Sequence, residues 1–320
     1  MTRGAETILE QMERELTPPP EWKLPDRMLY HYTDAFGLDG ILRSGCLRAT
    51  HYRYLNDTRE LVEGREVVDQ AAADIEAGAE YSEVQRALSK EFRRAFHLPK
   101  VNAVLRDTFV AALSVKPDDL GQWRAYGARG AGYCIGIQFV QGPVPAAADG
   151  DTLRVMLLPC EYDRDAARGR IRGVLEKLFQ GVERYVRAYG QEIEPMRLAS
   201  RGAVVALTAI TPLWMGIKDA SYRDEAEWRM VAAPGVATRA GAIKVRPTEA
   251  HGLVPYVEVP LNRGADGKVL RPAALDEVIV GPTRHRQDGR VAVSLLLESV
   301  GYDREHAERI VKASEIPYRG

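Results

Sequence analysis

The chain has 320 residues, with 44 Lys and Arg against 45 Asp and Glu, so its net charge of -1 excludes the overall basic field of many nucleic-acid-binding proteins. Hydrophobic residues make up 45% and charged residues 28%, as in a globular protein with one large domain or two. The three widely spaced cysteines match neither a disulfide framework nor a zinc-ligand pattern, which favours a reducing compartment. The charged N-terminus lacks a signal core, and the most apolar run, 203–217, is short and contains Pro212. We therefore expect a soluble, cytoplasmic protein without membrane contact.

The chain begins with a short amphipathic pattern over 4–15, which the prolines at 18–20 end. This pattern predicts an N-terminal helical arm over 1–27. We expect the remainder, 28–320, to form a single α/β domain.

The first unit of that domain is a strand, a helix, a second strand and a second helix. Residues 29–33 alternate and are rich in aromatic side chains, which predicts a strand. Thr33 is a suitable N-cap for the apolar helix that follows, and Gly45 is suited to end it. A strand then starts at Cys46, and 56–58 form a turn and the N-cap of the next helix. Such a unit leaves polar groups at the ends of its elements, where a cleft can form.

The rest of the chain mixes strands and helices at irregular spacing, which favours an α+β fold over a doubly wound one. Apolar residues at helical spacing predict a long helix over 171–189. With a buried helix or strand over 202–211, it would form a helical insertion at about 164–212. The other predicted elements are helices over 82–97 and 291–299 and strands over 108–115, 131–140, 153–162, 225–232, 256–260, 278–281 and 312–318.

Two aromatic stretches contain candidate binding residues. His31 lies at a strand end between two tyrosines, where it is either a packing residue or a hydrogen-bond donor to a ligand hydroxyl. Trp123 and Tyr126 share a face if their segment is helical. We interpret Trp123 as a core residue. Tyr126 precedes Gly127 in a tight stretch of chain, where its ring is suited to stack on a flat ligand.

The most unusual local pattern is Glu225-Ala226-Glu227-Trp228-Arg229. On a strand, its three charged residues point to one face and Trp228 to the other. The face is either a solvated edge or the wall of a cleft. In a cleft, Arg229 would hold one carboxylate, and the other would be available to a hydroxyl or a developing cation.

Several of these stretches together resemble a known family. In their order, they resemble the uncharacterised bacterial domain-of-unknown-function family 2971, and the matching positions are 29–33, 40–45, 54–60, Ser114, 123–127, 132–139, 225–229, 278–282 and 314–319. The resemblance covers about 28–319. It implies one elaborated domain and brings no established reaction.

A more distant resemblance is to the NAD-dependent ADP-ribosyltransferases, including those that modify DNA. It rests on the early strand His-x-Thr, the short helix with its glycine-ended turn, a later Tyr and a late strand Glu. It implies an α+β fold with a mixed or antiparallel split β-sheet, flanking helices and a helical insertion, and NAD as the substrate. It also implies roles for site residues: His31 would hold the ribose, Tyr126 or Tyr133 would stack on the nicotinamide, and Glu227 would stabilise the cationic transition state. The neighbours Tyr32, Thr33, Glu225 and Arg229 would complete the NAD site.

The resulting expectation is an enzyme that transfers ADP-ribose or cleaves NAD, as a toxin or in phage defence, with a nucleic-acid or protein acceptor and no metal. Two alternatives stay open. One is a binding module that senses a nucleotide or nucleic acid without turnover, with a basic rim of Arg48, Arg53, Arg124 and Arg129. The other is a metal-dependent nuclease that uses Asp57, Glu60, Glu225 and Glu227, since hard cations bind clustered carboxylates.

Overall fold

The computed structural model describes residues 3–16, 25–55, 60–98, 107–139, 153–233, 239–248, 251–261, 273 and 275–317. Its helices are α1 (Arg3–Leu16), α2 (Ala35–Ser44), α3 (Glu60–Ala77), α4 (Glu83–Phe96), α5 (Leu120–Ala125), α6 (Arg164–Tyr189), α7 (Pro195–Met215), α8 (Arg239–Ala242), α9 (Arg286–Ser299) and α10 (Arg304–Ile310). Its strands are β1 (Leu29–Thr33), β2 (Cys46–His51), β3 (Phe109–Ser114), β4 (Tyr133–Ile137), β5 (Arg154–Pro159), β6 (Glu227–Ala233), β7 (Lys244–Thr248), β8 (Gly252–Pro260), β9 (Glu277–Val280) and β10 (Val311–Ala313).

The chain divides into two compact units, which we call the helical unit and the sheet unit. The helical unit comprises Met1–Glu21, Asp57–Arg106 and Cys160–Ser221, and the sheet unit comprises Trp22–Asn56, Asp107–Pro159 and Tyr222–Gly320. The expected arm, single domain and insertion stay predictions beside this division. In the helical unit, α1 packs on α6 and α7 through buried side chains such as Met12, a pairing that local sequence patterns do not reveal.

In the helical unit, α3, α4, α6 and α7 pack around a shared apolar core. The predicted long helix is confirmed and begins earlier, at Arg164, because Asp163 caps it by accepting bonds from Asp165 N and Ala166 N. Ser82 and Gln85 form a reciprocal capping box at the start of α4, as the sequence type favours.

Helix α7 is long and apolar enough to cross a membrane by length and composition, and it is the one such helix among the described residues. Core helices of soluble proteins share these properties. Here α7 packs against α1, α3, α4 and α6 and buries Leu198, Ile210 and Trp214. The structure is thus consistent with a soluble protein, while the cytoplasmic location stays a prediction.

The sheet unit contains one branched sheet of ten strands within the described residues. One path runs β10-β9-β4-β1-β3-β2-β8-β7, and β6 pairs with both β3 and β5. β10 lies parallel to β9, and the other pairs are antiparallel. A mixed-orientation sheet with helices confirms the α+β class.

The two faces of this sheet differ in chemistry because successive side chains of a strand alternate between faces. One face, which we call the core face, carries apolar residues that form the main hydrophobic cluster with α2, α9 and α10; examples are Leu47, Phe109, Ile135, Met230 and Val278. The other, which we call the cleft face, carries Arg48, Ala112, Ser114, Glu227 and Arg229, as the strand registers show.

Local predictions near β1 are confirmed except for one cap. Gly45 ends α2 with φ 71°, the left-handed conformation that glycine adopts without steric cost. The N-cap of α2 is Asp34 and not Thr33, because the Asp34 carboxylate accepts the bond from Gly37 N. Asn56 and Asp57 of the predicted turn lie outside the described residues. The strand predicted over 312–318 is shorter than expected: β10 ends at Ala313, and 314–317 are irregular because Ser314 and Glu315 bond to the Asp118 side chain.

Candidate functional site

The cleft face opens where β1 and β2 part from each other along β3. β6 pairs with β3 over its whole length, from Phe109 to Ser114. On the other side of β3, β2 pairs at Val110 and Phe109, whereas β1 pairs at Ser114 alone. The sheet is therefore split between β1 and β2. The carbonyl of Ala112 lies in this split and accepts a hydrogen bond from Nδ1 of His31 at 2.9 Å.

A cleft is formed at this split. It is lined by Tyr30, His31, Tyr32, Ala112, Leu113, Ser114, Gln122, Tyr126, Glu225 and Glu227. The space between its walls is about 340 Å³ when the open mouth is included, and the cavity itself is about 60 Å³. A cavity of that size has room for about four to six water molecules, or for one small ring. A larger ligand must extend beyond it.

His31 is held as a neutral imidazole. Because a carbonyl oxygen only accepts, Nδ1 carries the hydrogen and Nε2 carries a lone pair. Burial lowers the pKa of His31, the charge of Arg246 lowers that pKa further, and the bond to Ala112 opposes both. The net result is a pKa below the usual value, so His31 is an acceptor at neutral pH. The expected donation to a ligand hydroxyl is wrong for this tautomer, since the hydroxyl would donate to Nε2.

Tyr126 and Glu225 form one side of the cleft. Asp119 caps α5 through a bond from Gln122 N, and Tyr126 follows the end of this short helix. The Tyr126 hydroxyl donates to Oε1 of Glu225 at 2.9 Å. The prediction that Glu225 lies on the strand is wrong. It ends a 3-10 helix, and Ala226 separates it from β6. Ala226 has a φ of 46°, which is an unfavourable backbone conformation for alanine.

Glu227 and Arg229 are charged and buried in β6. They are 7% and 2% exposed, and Nε of Arg229 donates to Oε1 of Glu227 at 3.1 Å. Both lie on the cleft face, opposite Ser114 and Ala112. Arg229 was expected to hold one carboxylate and leave the other for a ligand. The structure assigns Arg229 to Glu227 and Tyr126 to Glu225, so both carboxylates are held in place.

Tyr32 lines the cleft and is held there by two hydrogen bonds and an aromatic contact. Its hydroxyl donates to the Lys116 carbonyl at 2.9 Å and accepts from Asp119 N at 3.1 Å. Its ring meets Trp123 edge-on at 4.8 Å between centroids. Trp123 is fully buried and donates from Nε1 to Asp118 at 2.6 Å, so its interpretation as a core residue is confirmed.

Three of the candidate residues, Thr33, Tyr133 and Arg229, do not line the cleft. Thr33 and Tyr133 lie opposite each other in the β1–β4 pair, where alternation places Tyr133 on the same face as Ile135. Tyr133 packs against the main hydrophobic cluster of the core face. Of the two tyrosines considered for stacking, the structure brings Tyr126 to His31 and Glu227 and leaves Tyr133 on the core face.

Some residues of the site could not be found by sequence analysis. Gln122 is buried in α5 and lines the cleft, yet it has no distinguishing pattern. The Ala112 carbonyl is a backbone group, so residue type carries no signal. Arg246 lies on β7, which was not predicted because Pro247 and the surrounding exposed positions are typical of a loop.

The residues of the alternative functions are described only in part. Among the described residues, no group of three or more His, Cys, Asp or Glu side chains is arranged to hold a metal ion. Asp57 and the side chain of Glu60 lie outside the described part of the chain. Of the predicted basic rim, Arg48 lies on the cleft face, Arg53 in a 3-10 turn after β2, Arg124 in α5 and Arg129 in a second 3-10 turn.

Comparisons with known proteins give one match. A family model described as "Protein of unknown function (DUF2971)" matches residues 122–230. The match supports the resemblance to that family over the stretch from α5 to β6, which contains Tyr126, Glu225, Glu227 and Arg229. No curated protein and no solved structure matches the chain.

Proposed function

We propose that the cleft binds NAD and cleaves its nicotinamide–ribose bond, as a transferase of ADP-ribose or as an NAD hydrolase. The observation that carries this proposal is the position of a buried, ion-paired carboxylate, Glu227, in the same small cleft as the His31 acceptor and the Tyr126 ring. The proposed likeness to ADP-ribosyltransferases is drawn from the sequence motifs, and the split between β1 and β2 supports it.

Each of these groups has a task in that reaction. The cavity has room for one ring, which would be the nicotinamide, beside the ring of Tyr126. Nε2 of neutral His31 would accept a hydrogen bond from a ribose hydroxyl. Glu227 would stabilise the positive charge that develops on the ribose carbon as the bond to nicotinamide breaks. Tyr32, Thr33, Glu225 and Arg229 would act indirectly, by positioning these groups.

The atoms balance without a metal or a redox partner. The bond between ribose and the nicotinamide nitrogen breaks, and its electron pair leaves with nicotinamide. An acceptor nucleophile forms the new bond to the ribose carbon and releases one proton. The acceptor would be water, a nucleic-acid base or a protein side chain.

The experiment is release of nicotinamide from NAD by the purified full chain, in the presence of a chelator. It is run alone and with single-stranded DNA, RNA or a bacterial lysate protein fraction as acceptor. We expect release in at least one of these reactions, and NAD binding by calorimetry. Absence of both release and binding would overturn the proposal, and binding without release would favour the non-catalytic module. Cleavage of nucleic acid that appears only with restored Mg²⁺ would favour the nuclease.

The cellular role follows from the same proposal. The three cysteines are free, which fits a reducing cytoplasm. An enzyme that consumes NAD or modifies nucleic acid there would slow growth when expressed in bacteria, as a toxin or a phage-defence effector does. Expression of the wild-type chain is therefore expected to arrest growth, whereas Glu227→Gln is expected not to.

A further inference from the structure

A cluster of positive charge lies on the cleft face of the strands β2, β8 and β7. Thr50 lies opposite Tyr256, and Arg48 lies one alternate position along β2. The Arg48 guanidinium is 5.4 Å from the centroid of the Tyr256 ring, and the Arg246 guanidinium is 6.0 Å from it. We call Arg48, Arg246, Thr50 and Tyr256 the arginine pair site.

The two guanidinium groups lack a carboxylate partner among the described residues. Nη2 of Arg246 donates to Oγ1 of Thr50 at 3.2 Å, and Nε of Arg246 is buried without any hydrogen-bond partner there. A guanidinium carries five N–H donors, and a buried donor without a partner is costly. The carboxylate nearest in register, Glu258, is held by Lys244 at 2.7 Å. The site therefore has unused donors and an excess of positive charge.

The arginine pair site adjoins the cleft. Thr50 lies opposite Val110 of β3, and Ala112, which lines the cleft, is the next residue of β3 on the same face. Two strand positions span roughly 7 Å. The charge of Arg246 also acts on His31, where it lowers the pKa of the imidazole.

The size of the cleft indicates what would fill this site. The cavity has room for one ring, so the rest of a dinucleotide must lie outside it. On the His31 side, the neighbouring surface carries two arginines whose planar forks suit the oxygens of phosphate. We propose that Arg48 and Arg246 bind the diphosphate of the nucleotide whose other end occupies the cleft. This inference rests on the proposed function for the identity of that nucleotide.

The experiment measures binding of inorganic pyrophosphate, ADP-ribose and a ten-nucleotide single-stranded DNA to the full chain by calorimetry. The variants are Arg48→Gln, Arg246→Gln and Arg246→Lys. The matched control is Arg304→Gln, which removes the same charge from the exposed pair of Arg304 with Glu308 on α10. The melting temperature of every variant is recorded, and Arg48→Gln alone decides if both Arg246 variants fail to fold.

We expect Arg48→Gln and Arg246→Gln each to weaken pyrophosphate and ADP-ribose binding about tenfold or more, because hydrogen bonds from charged groups are the strong ones. Arg246→Lys should retain part of the affinity, and Arg304→Gln should retain nearly all of it. Equal losses in Arg304→Gln, or no binding of either ligand by the wild type, would overturn the proposal. If the wild type binds the oligonucleotide but neither pyrophosphate nor ADP-ribose, the proposal is also overturned, and the arginines would instead bind a nucleic-acid backbone.

The outcome separates this inference from the proposed function. If pyrophosphate and ADP-ribose bind through the arginines but no nicotinamide is released from NAD, the diphosphate site is supported and the NAD-cleaving activity is overturned. If Arg48→Gln and Arg246→Gln release nicotinamide with an unchanged KM for NAD, the NAD-cleaving activity is supported and the diphosphate site is overturned.

Discussion

The two faces of the branched sheet are built from the same strands, but one face is apolar and the other carries buried charges. On the core face, β2, β3 and β6 present Leu47, Phe109 and Met230 to a continuous apolar cluster. On the cleft face, β6 presents the buried pair of Glu227 and Arg229. Apolar burial stabilises a fold directly, whereas a buried ion pair is often no more stable than apolar side chains of the same size. The core face is thus accounted for by folding, whereas folding alone does not account for the charged pair of the cleft face.

The comparison is tested most strongly by removing the Glu227 charge. Glu227→Gln keeps the volume of the side chain and much of its hydrogen bonding, so we expect the fold to remain. Under the proposed mechanism, kcat for nicotinamide release should fall about a hundredfold or more, with little change in NAD affinity, because the charge acts on the transition state. The measurement is single-turnover nicotinamide release together with calorimetric binding of NAD.

The matched control is Glu277→Gln, at another carboxylate of the cleft face that is also 7% exposed. Glu277 is paired with Lys312 and bonded to Tyr30, so its neutralisation tests for indirect effects of a lost buried charge. We expect kcat to change by less than about threefold in this variant. Equal losses in the two variants would show that Glu227 acts through structure alone.

Breaking the buried pair from its other end should reduce stability. Arg229→Met removes the hydrogen-bonded charge partner of the buried Glu227, so we expect the free energy of unfolding to fall by about 3–5 kcal/mol. The double variant Glu227→Met with Arg229→Met should recover most of this loss, because apolar side chains replace both charges. The measurement is denaturant unfolding of the three proteins. A double variant as unstable as Arg229→Met would show that the cleft face needs its charges to fold.

A substitution on the core face should reduce stability and leave turnover unchanged. Leu47 is fully buried in β2, and Leu47→Ala is expected to lower the free energy of unfolding by about 2–5 kcal/mol through lost transfer energy and a cavity. The kcat of the folded fraction should stay near the wild-type value. Denaturant unfolding and a turnover assay on the same sample check both statements, and a large loss of kcat would contradict the separation of the two faces.

The smallest expected effect is the pH dependence that His31 contributes. Its pKa is lowered below the usual 6.5, so the unfolded chain binds a proton more readily than the folded one. The contribution of His31 to stability is therefore complete above pH 6.5 and declines as the pH falls below that value. The slope is at most about 1.4 kcal/mol per pH unit. His31→Gln should have a flatter stability profile between pH 6.5 and 5, and an unchanged profile would show that His31 titrates normally.

Sequence analysis predicted most elements of the sheet unit because their signals are local. The strand over 29–33 alternates, and Gly45 is the residue type that ends α2. The start of β6 was placed too early because a left-handed conformation at Ala226 has no signal in a residue type that disfavours it.

The arrangement of the site was beyond the reach of local patterns. The split depends on β1 meeting β3 at the single pair of Tyr30 and Ser114, which is a matter of tertiary register. Arg229 holds one of the two carboxylates as predicted, whereas the partner of the other could not be predicted because Tyr126 and Glu225 are 99 residues apart in the chain. Residue types indicated which groups were unusual, and the fold determined which of them meet.

Strand β3 pairs with strands that precede it in the chain and with β6, which follows much later. This affects when the cleft can form during synthesis. Ser114 bonds to the carbonyl of Glu225, 111 residues later in the chain. A ribosome that adds about 5–20 residues per second needs roughly ten seconds to cover that distance. During this interval β1 and β2 can pair with β3, but the strand that carries Glu227 does not yet exist. A nascent or truncated chain therefore contains His31 and Tyr126 without the carboxylate, so the cleft is completed only late in synthesis.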